Sequence, residues 1–198
     1  MRILTEHTSA ELAVKNSRFL AELFPCADQA EARSLVKSQK TKYADATHVV
    51  HAFVLGLNAE ILGMSDDGEP GGTAGRPALD VLKGSGISNL VLTVTRWFGG
   101  TLLGTGGLVK AYGDSAKAVL AAAEEQGFVQ EYVEKRDFCF SCDYTFYQTA
   151  RHLFESFDVS DVHEEFGEAV RVSGKIPSAQ LDELAARVTD ASNGRVSL

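Results

Sequence analysis

The sequence predicts an α+β chain of two domains, an α/β-patterned first domain over residues 1–134 and a smaller βαββαβ domain over 135–198. Three observations carry this expectation. Asn89 to Trp97 (NLVLTVTRW) is apolar and β-branched enough for a buried strand, and after it Leu108, Tyr112, Ala116, Val119 and Ala123 recur at helical spacing. His48 to Leu55 (HVVHAFVL) is a second strong strand. From Arg136 onward the periodicity switches in the order of the smaller domain, and acidic Glu131 and Glu134 mark the joint near Glu134.

In chain order, Glu11 to Phe24 reads as a hairpin or edge strand, with Phe19, Ala21 and Leu23 alternating against Leu20, Glu22 and Phe24. Asp28 followed by Glu31 has the form of a capping box and starts a helix through Ala32, Leu35, Val36 and Gln39 to about Tyr43. Lys37, Lys40 and Lys42 near its end are expected to complement the helix dipole on a solvated face. Within the strand that follows, His48 and His51 fall on opposite faces and make a poor metal pair. Ile61 to Met64 reads as a short strand, and Thr73 is expected to cap the helix carrying Leu79, Val81 and Leu82, with Pro77 in its first turn. The long helix after Gly107 should end at Gly127, a C′ residue. Beyond it the pattern is strand Arg136–Cys142, helix Tyr144–Phe157, strands near Val159–Phe166 and Glu168–Ile176, helix Ser178–Ala191 and strand Arg195–Leu198.

Two turns attract attention as sites. Arg96 to Tyr112 (RWFGGTLLGTGGLVKAY) carries Gly99, Gly100, Gly104, Gly106 and Gly107 between a strand and a helix, where bare amides and the positive helix end can hold an anion. Arg96 and Lys110 flank it. It is neither a Walker loop, since Leu108 and Val109 separate Gly107 from Lys110, nor a GxGxxG, since Val109 stands at the last position. Tight packing of helix on sheet is the competing explanation. The other turn, SDDGEPGGTAGRPAL, places Asp66, Asp67 and Glu69 within four residues. They suit turn and capping duty, pairing with Arg76 and Arg96, magnesium ligation, or acid–base chemistry.

The net charge of −8 argues against an indiscriminate nucleic-acid binder. Residues 1–110 hold 11 basic and 11 acidic side chains, so the whole excess lies later, and an anionic partner is expected at the earlier part. No apolar run approaches the roughly 20 residues of a membrane span. With three Cys and no signal peptide the expected location is cytoplasmic. Cys139 and Cys142 form a lone CxxC, but the first alternates with Phe138 and Phe140 inside a strand, so buried structural thiols are the default.

SDDGEPGGTAG followed by RWFGGTLLGTGGLVKAY resembles the signature of the IMPACT/YigZ family, and the resemblance extends to SRF at Ser17–Phe19 and DATH at Asp45–His48. Members often carry a Cys shortly after that His; Val49, Val50 and His51 stand here, which counts against thiol chemistry. The resemblance implies a first domain like the second domain of a small-subunit ribosomal protein, with a left-handed βαβ crossover, and a ferredoxin-like second domain. It implies a translation-associated role, since eukaryotic members act in translational control by competing for a partner of the kinase that senses uncharged tRNA. Their extra N-terminal partner-binding domain is expected to be missing here.

The expected function is therefore a translation-associated binding protein that holds RNA or another phosphate-bearing ligand at its glycine loop. His48, Asp66, Asp67, Glu69, Arg76, Arg96, Gly99, Gly100, Gly104, Gly106, Gly107, Lys110 and Tyr112 are the candidate ligand-binding residues. No cofactor is expected, with magnesium a second option at the carboxylates. RNA or ribosome-associated factors are the expected partners, with a protein partner for the acidic second domain; a monomer and no membrane contact are expected. The rival is an enzyme acting on a phosphorylated or nucleotide substrate in the same pocket, as kinship with the GHMP kinases suggests, although no nucleophile and base stand out as a pair.

Overall fold

A computed structural model describes residues 1–198 and divides them into two compact units, Met1–Tyr132 and Val133–Leu198. The first holds strands β1 (Arg2–Leu4), β2 (Thr8–Val14) and β3 (Ser17–Pro25), helix α1 (Gln29–Lys42), strands β4 (His48–Leu55) and β5 (Ile61–Ser65), helix α2 (Gly75–Ser85), strands β6 (Ile87–Ser88) and β7 (Leu90–Trp97), helix α3 (Gly104–Glu125) and strand β8 (Val129–Glu131). The second holds β9 (Lys135–Cys142), α4 (Tyr144–Phe154), β10 (Ser160–Phe166), β11 (Val170–Pro177), a 3-10 turn at Ser178–Gln180, and α5 (Leu181–Ala191).

The main sheet of the first unit has the order β2-β3-β7-β4-β5, with every neighbouring pair antiparallel. Its start is the expected hairpin: Lys15 and Asn16 both take positive φ, the two-residue turn that matches strand twist, with β2 on the edge and β3 inside. Because β3 and β4 both run antiparallel to β7, they are parallel to each other and α1 carries the chain across it. Side chains separate by parity. Phe19, Ala21, Leu23, Val50, Ala52, Leu90, Leu92 and Val94 pack with α2 and α3 into the larger core. On the other face Leu55, Phe53 and Val91 meet Ala32, Leu35 and Val36 of α1. A small sheet of order β6-β1-β8 completes the unit.

Cap chemistry explains the helix ends. Asp28 accepts from the amides of Ala30 and Glu31, and Glu31 answers by accepting from Ala27 N–H at 2.8 Å. Gly127 takes φ +74° after α3, as expected, with the Phe128 amide reaching back to the Ala123 carbonyl at 2.9 Å. Thr73 does not cap α2; its hydroxyl turns back to the Pro70 carbonyl at 2.7 Å.

In the second unit β10-β11-β9 is an antiparallel sheet, one face of which buries Phe138, Phe140, Val170, Val172 and Ile176 against Phe146, Ala150, Leu184 and Val188. Five of the six expected elements are present. The sixth, a strand at Arg195–Leu198, is not: Asn193 and Gly194 turn left-handed, and Ser192 holds the segment by accepting from the Val196 amide at 3.0 Å, so Val196 enters the core without joining the sheet. Cys139 also differs from expectation. It points outward from β9 and is exposed, whereas Cys142 is buried, and burial pushes its thiol upward.

Candidate functional site

Strand register assembles the site at one end of the main sheet. Arg96, near the end of β7, lies opposite His48 at the start of β4 and opposite Phe19 near the start of β3. By parity Arg96 continues the row Leu90, Leu92, Val94 and His48 the row ending in Val50, so both side chains face the α2/α3 layer. His51 faces α1 instead and lines a separate groove with Val36 and Lys40.

Glu69 organises the centre. Its carboxylate is buried, and Oε1 accepts from Arg96 Nη1 at 2.6 Å and from the Tyr112 hydroxyl at 2.7 Å. Tyr112, fully buried on α3 and edge-on to Phe19 at 5.3 Å, needs a partner for its hydroxyl, and Glu69 supplies it. Burial, then the hydrogen bond to Glu69, pushes the Tyr112 phenol far above its ordinary range, so it stays a donor. Arg96 Nη2 reaches Ser17 Oγ at 3.5 Å, but Arg96 Nε is buried with no partner. His48 Nδ1 lies 2.8 Å from the Asp67 carbonyl, an acceptor, so Nδ1 carries a proton; Nε2 lies 3.8 Å from Glu69 Oε2.

These groups open into a cleft of about 410 Å³, lined by Thr47, His48, Gly68, Glu69, Pro70 and Arg96 on one side and by Phe98, Leu102, Leu103, Gly104, Thr105 and Leu108 on the other. The second set is the glycine loop and the first turn of α3, whose N-terminus has no side-chain cap. Gly99 is there for close approach. A Cβ on it would lie 2.0 Å from the Asn16 carbonyl, and its amide donates to Ser17 Oγ at 3.2 Å. Gly104, with φ +73°, lets the chain turn into the helix at the cleft wall.

The carboxylate turn divides among the duties its sequence offers. Asp66 Oδ1 accepts from the amides of Ala74 (3.1 Å) and Gly75 (2.8 Å), and Oδ2 from Gly72 (2.9 Å), so Asp66 caps α2 from eight residues upstream. Burial raises its pKa, but these three amides outweigh burial and hold it below the usual carboxylate range. Asp67 accepts from Val49 N–H at 2.7 Å and pairs with Lys40. Only Glu69 of the three touches an arginine. Asp66, Asp67 and Glu69 thus take separate partners, and no three His, Cys, Asp or Glu side chains converge on one point.

Of the expected site residues, His48, Glu69, Arg96 and Gly104 line the cleft and Tyr112 braces it from within. Gly99 and Gly100 shape the loop, and Gly106 and Gly107 belong to the first turn of α3. Arg76 and Lys110 are not brought in. Each lies on an exposed helix surface paired with the carboxylate four residues on, Arg76 with Asp80 at 3.0 Å and Lys110 with Asp114. Residues not foreseen include the apolar wall of Phe98, Leu102 and Leu103, and three braces: Ser17, Thr47, which accepts from Phe98 N–H at 3.0 Å, and Asp45, which accepts from Trp97 Nε1 at 2.8 Å. The SRF and DATH motifs contained those braces; their spacing alone assigned them no task.

Residues 15–120 match the family model described as the Impact N-terminal domain, and residues 140–195 match one described as a domain of unknown function (DUF1949). The chain is 34% identical to IMPACT family member YigZ of Escherichia coli over 93% of its length and 90% of the relative's. It is also 34% identical to IMPACT family member YvyE of Bacillus subtilis, over 93% and 83% respectively. A crystal structure of a protein described as hypothetical superposes with a TM-score of 0.68 at 32% identity, covering 99% of this chain and 94% of that one. No helix is long and apolar enough to cross a membrane.

Proposed function

The chain belongs to the IMPACT family, and from that premise we propose that it is a translation-associated binding protein whose cleft holds a phosphate group of RNA or of another phosphate-bearing ligand. The observation that carries this reading is the juxtaposition in one cleft of the uncapped N-terminus of α3 and the guanidinium of Arg96, whose Nε is buried without a partner. A phosphate offers acceptors to the open helix-end amides, and the helix end together with the Arg96 cation favours its charge. Phe98 and Leu102, exposed at the mouth, give the rest of the ligand an apolar wall. A cleft of this volume is the size of a small-molecule site, so it takes one nucleotide of a strand and not a long run of backbone. The acid excess of residues 135–198, with 7 basic and 11 acidic side chains, suits a protein partner better than phosphate contacts.

Titration of a short oligoribonucleotide at two ionic strengths, against wild type and Thr105→Asp, tests the reading. Thr105 is exposed in the first turn of α3, so an Asp there occupies the helix end with the protein's own anion. Binding should fall with salt and drop on the order of tenfold in the variant. Affinity indifferent to both would reduce the glycine loop to packing. Repeating the titration with magnesium present shows whether the carboxylates contribute through an ion; unchanged affinity leaves them as caps and braces.

A further inference from the structure

His48 and Glu69 do more than line a binding cleft. Nδ1 of His48 is committed to the Asp67 carbonyl at 2.8 Å, which fixes both ring orientation and tautomer and leaves Nε2 as the nitrogen available for proton transfer. Glu69 Oε1 is held by Arg96 and Tyr112, leaving Oε2 3.8 Å from Nε2, placed to stabilise an imidazolium that forms there. Besides balancing Arg96, Glu69 thus stands where a carboxylate stabilises a protonated His48, while Arg96 and the α3 amides are placed to hold developing negative charge.

The lining residues narrow the chemistry further. No Cys or Ser lines the cleft, and of its two hydroxyls Thr47 Oγ1 is occupied by the Phe98 amide and Thr105 belongs to the exposed helix turn. No lining Cys, Ser or Thr is offered as the nucleophile, which leaves a hydroxyl of the substrate itself or water. Resting on the phosphate-binding reading above, we propose that this cleft cleaves RNA by transesterification, with His48 as general base. His48 Nε2 takes the proton of the ribose 2′-hydroxyl and the 2′-oxygen forms a bond to phosphorus. The phosphorus–O5′ bond then breaks, and the departing 5′-oxygen takes a proton from water. The proton on His48 returns to solvent, so the products are a 2′,3′-cyclic phosphate end and a free 5′-hydroxyl with no other reactant consumed. Arg96 and the amides at the start of α3 stabilise the phosphorane charge, and Glu69 stabilises the imidazolium.

The test uses the full chain and a short oligoribonucleotide, with the 2′-deoxy oligonucleotide of the same sequence as control. The informative variant is His48→Asn, whose side-chain amide can still donate to the Asp67 carbonyl while lacking an equivalent of Nε2. Wild type should release fragments ending in a cyclic phosphate from the ribo substrate and none from the deoxy control. His48→Asn should lose at least about 100-fold in kcat while its melting temperature stays near wild type. Glu69→Gln should lower kcat. No cleavage by wild type, or equal cleavage by His48→Asn, overturns the proposal. If the deoxy strand still binds in that case, the phosphate-binding reading survives it; if nothing binds, both fall.

Discussion

Helices α2 and α3 both follow glycine-rich turns at the same end of one sheet, yet their N-termini are treated in opposite ways. At α2 a carboxylate from the chain itself, Asp66, takes the Gly72, Ala74 and Gly75 amides. At α3 the cap position is Leu103, which offers no acceptor, and the adjoining cleft adds the unpartnered Nε of buried Arg96. One terminus is closed by the fold and the other is left without a side-chain cap. The difference teaches that glycine-rich turns before helices divide by what answers their amides: an internal anion closes the end, and an uncapped end beside a fixed cation leaves it able to take an outside anion.

The largest effect is expected at the pair that sets the open end's surroundings. Glu69→Ala leaves Arg96 buried without its counter-charge and Tyr112 without its acceptor, and should cost roughly 3–5 kcal/mol in urea denaturation. Adding Arg96→Met to it should recover much of that loss, because the cost lies in the uncompensated charge. Additive losses in the double variant would mean that the two groups are not energetically coupled, and the open end would lose the fixed cation on which the contrast depends.

Next in size is the closed end. Asp66→Asn keeps the side chain's shape but removes the charge that answers three amides, and should cost about 1–3 kcal/mol at neutral pH. The folded-state pKa of Asp66 is depressed, so its stabilisation is full above its ordinary value and disappears as pH falls through the lower folded value. The gap between wild type and Asp66→Asn should therefore be wide at pH 7 and narrow on the acid side of the ordinary carboxylate range. A gap of equal width at both ends would assign the cap to shape and not to charge.

Much of this molecule is legible along the chain because local signals and packing agree. β4 and β7, the two strands read most firmly, hold the buried rows of the core, and Asp28 and Gly127 bound their helices through bonds to near neighbours. What escaped was non-local. Thr73 stood where a cap belongs, but Asp66 reaches α2 because a turn with positive φ at Asp67 and Gly68 folds the carboxylate back onto it. The sheet's antiparallel order depends on β7 inserting between β3 and β4, which no stretch of sequence announces. At the site, Glu69 was one of three carboxylates that spacing could not rank, and only register and burial single it out as the partner of Arg96. The final strand failed for a local reason, since Ser192 and the left-handed Asn193–Gly194 pair take the backbone elsewhere.

The smallest effect should come from Lys110, which flanks the glycine loop in sequence and therefore looks like part of the anion seat. In the fold it lies in the second turn of α3, 78% exposed, and is held by Asp114, which also attracts Lys117 at 3.7 Å. Such a solvated i,i+4 pair contributes about 0.3–0.5 kcal/mol. A lysine that neither lines the cleft nor stands free of a carboxylate adds little to binding at physiological salt, where charges act over roughly 8 Å. Lys110→Ala should change stability by less than about 0.5 kcal/mol and leave oligoribonucleotide affinity close to wild type, in contrast to Thr105→Asp at the helix end. Measuring both variants in one titration series sharpens the contrast to a single turn of helix. A loss in Lys110→Ala as large as that in Thr105→Asp would move the anion seat from the open terminus onto the exposed flank of α3, and the difference between the two helix ends would no longer explain where the ligand binds.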